Sequence, residues 1–169
     1  MDLHAWLGEA LPSDEAMLDA LYAAPAVVWA DAADEVAARV SAHDVVVALP
    51  DARAFAQALA ARWGVPAFAA EVDARGEWRL PEIRGVRADA RVTVASAYLT
   101  DAAEEFALAV ALFRAGFTSV RVAAAVDVTT AGGRARLALQ GVSVVALEQL
   151  AVTPAGLIFE RRFPQDGQA

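Results

Sequence analysis

At 169 residues the chain is long enough for one well-buried α/β domain and short for two, so residues 1–169 are read as a single unit. With 58% hydrophobic residues and a mean hydropathy of +0.40, a disordered chain is excluded. A net charge of −8 disfavours nucleic acid as a partner, and the lack of any cysteine or lysine removes disulfides, thiolate metal sites and catalysis by either residue.

The opening Met1-Asp2-Leu3-His4 carries no basic leader. The longest apolar stretches, Leu21 to Ala30 and Phe106 to Phe113, are well short of the roughly 18–20 residues needed to cross a bilayer. A cytoplasmic protein with no membrane partner is therefore expected. Ser13 stands where it can cap a helix carrying Met17, Leu18 and Leu21, and Asp34 to Val40 reads as another helix. Residues 1–43 are thus expected to form an N-terminal helical cap.

Residues 44–150 alternate apolar runs of strand length with segments of helical period, the pattern of βαβ units. The expected strands are Val45 to Leu49, Ala67 to Ala70, Val92 to Ala95, Val120 to Val126 and Val142 to Leu147. All are rich in β-branched residues or alanine, as strands covered on both faces should be. Between the first two, Phe55, Leu59 and Trp63 recur at helical spacing from Ala52 to Trp63, with Asp51 placed to cap the start and Gly64 to stop it. A second helix is expected over Ala102 to Ala115, burying Phe106, Val110 and Phe113, and a short one over Arg134 to Gln140. In residues 151–169, Leu157, Phe159, Arg161 and Phe163 alternate as a late strand folding back toward the N-terminal part, and a polar tail follows Pro164. The expected fold class is α/β: a three-layer domain with a mainly parallel five-stranded sheet and an N-terminal helical cap.

The order of these pieces resembles the type I phosphoribosyltransferases, most closely the orotate branch, over roughly Asp44 to Leu150. Asp44-Val-Val-Val-Ala-Leu49, the helix after it and Gly64-Val-Pro66 resemble that family's first strand, pyrophosphate loop and second strand. Arg91-Val-Thr-Val-Ala-Ser-Ala-Tyr-Leu-Thr-Asp101 falls without a gap on the segment that binds the diphosphate sugar PRPP. Val126-Asp127, Gly132-Gly133-Arg134 and Gly141-Val142 match the segments downstream.

At the motif positions the chain departs from the family. Two adjacent acids that hold the ribose hydroxyls are replaced by Ser96 and Ala97. The Thr-Thr-Gly-Gly-Ser/Thr loop that cradles the 5′-phosphate reads Thr100-Asp101-Ala102-Ala103-Glu104. Such a loop works because free amides and the positive end of a helix dipole face the ligand while glycines let the backbone come close. Here Asp101 and Glu104 are spaced as a capping box and Glu105 adds charge, so three carboxylates stand where a phosphate would sit. The pyrophosphate loop reads Leu49-Pro-Asp-Ala-Arg53, and the lysine and arginine after the second strand become Glu71 and Val72. The changes in the two loops and after the second strand all move charge in the negative direction, whereas Ser96 and Ala97 take two acids away.

Other signals have simpler explanations. Asp127-Val-Thr-Thr-Ala-Gly-Gly133 looks superficially like the missing loop, but its position and the short helix after it suit a strand-to-helix turn. Arg75, Arg79, Arg84 and Arg87 surround Trp78, a pattern that can hold an anion, yet Asp73, Glu77 and Glu82 are interleaved, which suits a solvated hairpin or a dimer contact. His4 and His43 lie too far apart in sequence to suggest a metal site or a triad.

The expected function is a degenerate phosphoribosyltransferase-like protein that acts by small-molecule binding or assembly. The alternatives are a divergent active transferase for orotate or a purine base, or a nucleotide-sensing regulator. Ligand contact is expected at Ser96, Ala97, Tyr98, Thr100, Asp101, Ala102, Ala103 and Glu104, with no catalytic residue and no metal ligand assigned. No cofactor is expected, Mg²⁺ entering only with the enzymatic alternative. A homodimer is implied by the resemblance.

Overall fold

Four consecutive valines and alanines with no exposed side chain, Val45–Ala48, form β1. Such a strand has to lie inside a sheet covered on both faces. The computed structural model describes residues 2–80, 86–87 and 89–160, and places β1 between β2 (Ala67–Ala69) and β5 (Arg91–Leu99), parallel to both. Then follow β6 (Ser119–Val128) and β7 (Ser143–Thr153), also parallel, and β8 (Gly156–Phe159), antiparallel to β7. The order is β2-β1-β5-β6-β7-β8.

All five expected strands are present, and the late segment joins the same sheet as a sixth. Arg161, Phe163 and the tail after Pro164 lie outside the described residues. The central strands outrun their apolar cores. β5, for example, extends from Val92–Ala95 through Ser96 to Leu99, because β6 continues to pair with it as far as Leu99↔Asp127.

One face of the sheet is covered by the cap helices α1 (Leu3–Gly8), α2 (Asp14–Ala23) and α3 (Ala26–Arg39) together with α4 (Arg53–Trp63). There Trp29 of α3 meets Phe55 of α4 with ring centroids 5.5 Å apart. The other face is covered by α5 (Ala103–Arg114) and α6 (Gly133–Ala138). Between β2 and β5 lies a small hairpin of β3 (Glu71–Val72) and β4 (Trp78–Arg79). The result is the expected three-layer arrangement. Among the described residues no helix is long and apolar enough to cross a membrane.

Three local expectations are corrected. The helix expected at Asp34 to Val40 begins at Ala26, because Pro25 provides the extended N-cap and alanines carry the helix through. Helix α1, missed in the sequence, is capped by Asp2, whose carboxylate accepts the Ala5 amide at 2.7 Å. On α5 the buried stripe is Glu105, Leu108, Ala109 and Leu112, whereas Phe106, Val110 and Phe113 are only half-buried beside it. Both stripes recur at helical spacing, and the bulk of the phenylalanines favoured the wrong one.

Candidate functional site

In an open parallel sheet, ligands bind outside the carboxyl ends of the strands where the strand order reverses. Here that point lies between β1 and β5, since the chain leaves β1 toward β2 and leaves β5 toward β6. β1 runs into Leu49 and a short helical turn, Pro50–Ala52; β5 runs into Thr100, Asp101 and the start of α5.

Asp51 does not cap α4. No side chain caps that helix, and the Asp51 carboxyl turns instead toward the backbone amides of Ala97 and Tyr98. Its Oδ1 is buried without a hydrogen-bond partner. Burial pushes its pKa above the ordinary carboxylate range, and the charge of Glu104 adds to the rise, while nearby backbone amides partly offset it. Cap residues Leu21 and Tyr22 close over Asp51, Ala97 and Tyr98, leaving about 10 Å³ of free space. That is the lower limit of the roughly 10–15 Å³ needed by a single water molecule. Over Asp51, Ala97 and Tyr98 the cap therefore leaves almost no free space.

The turn entering α5 also departs from expectation. Asp101 Oδ1 accepts the Ala103 amide at 3.0 Å, but Glu104 makes no reciprocal bond, so there is no capping box. The N-cap residue is Ala102, held at φ 60°, a left-handed conformation that glycine adopts without cost and alanine does not. Gly133 packs against this turn: its amide donates to the Thr100 carbonyl at 3.0 Å, and a Cβ there would lie 2.9 Å from the Ala102 nitrogen.

Ser96 is fully buried and donates from Oγ to Glu105 Oε1 at 2.6 Å. Burial raises the Glu105 pKa, the Ser96 hydrogen bond opposes that, and the charges of Asp51 and Glu104 raise it again. Ala97 and Ala102 are buried as well; Tyr98 and Thr100 are half-buried, and Asp101, Ala103 and Glu104 are exposed. The eight expected positions therefore converge on one edge, but only some of them face open space.

Three arginines at this edge already have carboxylate partners. Arg53 lies 3.6 Å from Glu71, Arg136 lies 3.7 Å from Asp101, and Arg134 pairs at 2.7 Å with Asp127, which is wholly buried at the end of β6. The Asp127–Gly133 stretch is the expected strand-to-helix turn, with Arg134 also donating to the Val144 carbonyl at 3.0 Å.

Open space lies on the far side of Tyr98, in a crevice of about 450 Å³ between the cap and the ends of β5, β6 and β7. Its walls include Pro12, Asp14, Thr100, Val128, Val152 and Leu157. Tyr98 donates its hydroxyl proton to Asp14 Oδ1, and burial followed by that contact pushes the phenol pKa well above its ordinary value. Sequence reasoning missed Asp14, because only the fold brings α2 across the sheet. Glu105 could have been found, since it completes the buried stripe with Leu108, Ala109 and Leu112.

The histidines lie apart from this edge. His4 stacks on Phe159 with centroids 4.1 Å apart and pairs with Glu148 at 3.0 Å, whereas His43 is buried just before β1, at the opposite end of the sheet. The arginine segment around Trp78 forms the β3–β4 hairpin, with Asp73 pairing Arg79 at 2.9 Å and Arg87 pairing Asp89 at 2.6 Å; Glu82 and Arg84 lie outside the described residues. A groove of about 530 Å³ separates Glu77 and Trp78 of the hairpin from Phe106, Val110 and Arg114 of α5. Among the described residues no group of three or more His, Asp or Glu is arranged to hold a metal ion.

The fold matches a known group of solved structures. An adenine phosphoribosyltransferase from Thermoanaerobacter pseudethanolicus superposes with a TM-score of 0.63 over 76% of this chain and 83% of that one, at 16% identity. The chain has the type I phosphoribosyltransferase fold. A phosphoribosyltransferase from Corynebacterium diphtheriae gives 0.60 over 85% and 90% at 20% identity. The orotate phosphoribosyltransferase of Mycobacterium tuberculosis, solved with PRPP, gives 0.55 over 70% and 71% at 21% identity. No protein-family model and no curated protein sequence matches the chain.

Proposed function

We propose that this chain has kept the phosphoribosyltransferase scaffold, no longer performs the transfer, and acts by binding a small molecule or by assembling with itself. The observation that carries this reading is the cover over the switch point: Asp51, Ala97 and Tyr98 under Leu21 and Tyr22, with about 10 Å³ left. Electrostatics supports it. A polyphosphate arriving there would meet Asp51, Glu104 and Glu105, two of them already pushed toward their neutral forms by burial and mutual repulsion. The nearby arginines have carboxylate partners of their own. Ala102 adds a third strand of support, since its left-handed backbone stands where the resembling family has a loop glycine. Glycine would hold this conformation without strain, and alanine does not.

The test is a thermal-shift series with millimolar PRPP and Mg²⁺, alone and with orotate or adenine, and with nucleoside monophosphates. A ligand bound only to the folded state raises the melting temperature by mass action, by about 2.7 kcal/mol of stability at one hundred times its Kd. No shift is expected with any of them. A shift with PRPP would restore the enzymatic reading, and a shift with nucleotides but no turnover would make the protein a nucleotide sensor.

Homodimeric assembly belongs to the same proposal. The groove beside Trp78 suits it, since Glu77 and Arg114 on its rim form no ion pair among the described residues and could each meet the other's counterpart across a twofold axis. Sedimentation should then give a dimer that Arg114→Glu weakens.

A further inference from the structure

We propose that the crevice between the cap and the carboxyl ends of β5, β6 and β7 takes a small apolar ligand bearing an amine. This rests on the reading above that no phosphate-bearing substrate occupies this edge. At about 450 Å³ the crevice falls within the range of small-molecule pockets, roughly 300–1,000 Å³. Val128, Val152, Leu157 and Pro12 make its walls predominantly apolar.

Among the described lining residues, Asp14 is the one acidic residue, and none is basic. Tyr98 donates to one of its oxygens, Oδ1. This fixes the carboxylate at the crevice wall and leaves Oδ2 free to accept from a ligand. Tyr98, whose pKa is raised by burial and by Asp14, is held as the neutral hydrogen-bond donor and supplies no positive charge. Among the described lining residues an anion entering here meets a carboxylate and no cation. An ammonium group gains a charge-assisted hydrogen bond, roughly twice as strong as a neutral one.

The crevice is also preformed. The Leu157 amide donates to the Pro12 carbonyl at 2.9 Å, tying the cap to the β7–β8 turn. Gly156, at φ 105°, allows this contact: a Cβ there would lie 2.8 Å from the Pro12 side chain. A wall fixed in this way does not have to be ordered when a ligand binds, and affinity gains accordingly.

Benzylamine is the probe, with benzoate and benzyl alcohol as controls of the same shape. Titrations of the full chain at pH 7, followed by calorimetry and by amide NMR shifts, should show saturable millimolar or tighter binding of benzylamine. Benzyl alcohol should bind about tenfold more weakly and benzoate not at all, with perturbed amides clustered at Thr100, Val128 and Leu157. Asp14→Asn should cost benzylamine about tenfold in affinity and leave benzyl alcohol unchanged. Tyr98→Phe, which frees Oδ1, should retain the preference for the amine. Benzylamine failing to bind, benzoate binding as well as benzylamine, equal affinity in Asp14→Asn, or shifts clustered elsewhere would each overturn the assignment. PRPP with Mg²⁺ run beside these samples keeps the two ideas separate: a PRPP shift sinks the functional reading, whereas silence of both PRPP and benzylamine sinks only the amine site.

Discussion

Ala102 and Asp51 are the two residues at which this edge stores cost, and each makes a measurable prediction. Ala102 sits at φ 60° with its side chain buried against Gly133. A non-glycine residue in this region costs about 1–2 kcal/mol. Ala102→Gly should therefore raise stability by about 1 kcal/mol in urea unfolding, even though glycine usually weakens the start of a helix; a loss would mean that the turn is not left-handed. Asp51 is penalised differently, by a buried oxygen with no partner and by Glu104 nearby. Its pKa is raised on folding, so the folded state takes up a proton more readily than the unfolded chain. The penalty is therefore full above the folded pKa and disappears as pH falls below the ordinary carboxylate value of 3.8. Asp51→Asn should stabilise the protein by about 1 kcal/mol at pH 7 and by nothing near pH 3.5. An equal gain at both pH values would show that packing, and not charge, is responsible.

At the scale of elements, the sequence carried the strands clearly and the helix faces less well. Val45–Ala48 and Ser119–Val128 announce themselves because a strand covered on both faces must be apolar at every position. Helix α5 was misread because Phe106 and Phe113 outweigh Ala109 in any hydrophobic count, whereas the face turned to the sheet carries Glu105, Leu108, Ala109 and Leu112. Glu105 is buried against Ser96, a contact nine residues apart that is invisible until the βα unit folds. Of the candidate site, the positions on β5 and its turn were legible from spacing, but Asp14 and Leu157 were not, since the cap and the β7–β8 turn reach the site only through tertiary docking. Gly156 is the key to that docking. Gly156→Ala adds a Cβ 2.5 Å from the Pro12 carbonyl oxygen, at a φ of 105° that alanine avoids, and should cost about 1–3 kcal/mol. Cap amides around Pro12 should then exchange faster than those of β5 and β6; uniform loss of protection would show that the cap is not separately anchored by this turn.

For the whole molecule, burial of ionisable groups at opposite ends of the sheet sets the pH dependence of stability. At the carboxyl end, Asp51 and Glu105 have raised pKa values, so as pH falls toward their folded values the folded state binds protons first and stability rises. At the amino end, His43 lies beside Arg121 and Arg91 with Asp44 opposing them, and desolvation lowers its pKa below the ordinary 6.5. The unfolded chain then protonates this histidine first, so its contribution is full above pH 6.5 and is lost as pH falls through the folded value. Asp44, Asp73 and Asp89 have lowered values, and what they contribute is lost only in stronger acid, below the ordinary 3.8. With a net charge of −8, protonation also relieves general repulsion as pH falls. The melting temperature should accordingly rise as pH falls through the folded values of Asp51 and Glu105, and fall again as His43 and then the exposed aspartates take up protons. In the double variant Asp51→Asn with Glu105→Gln, the rise should flatten while the fall on the acid side persists. His43→Gln should do the reverse. A wild-type melting temperature that climbs steadily from pH 5 to 8 would mean that the acids at the switch point are solvated, and with that the cover over Asp51 on which the functional reading depends would be gone.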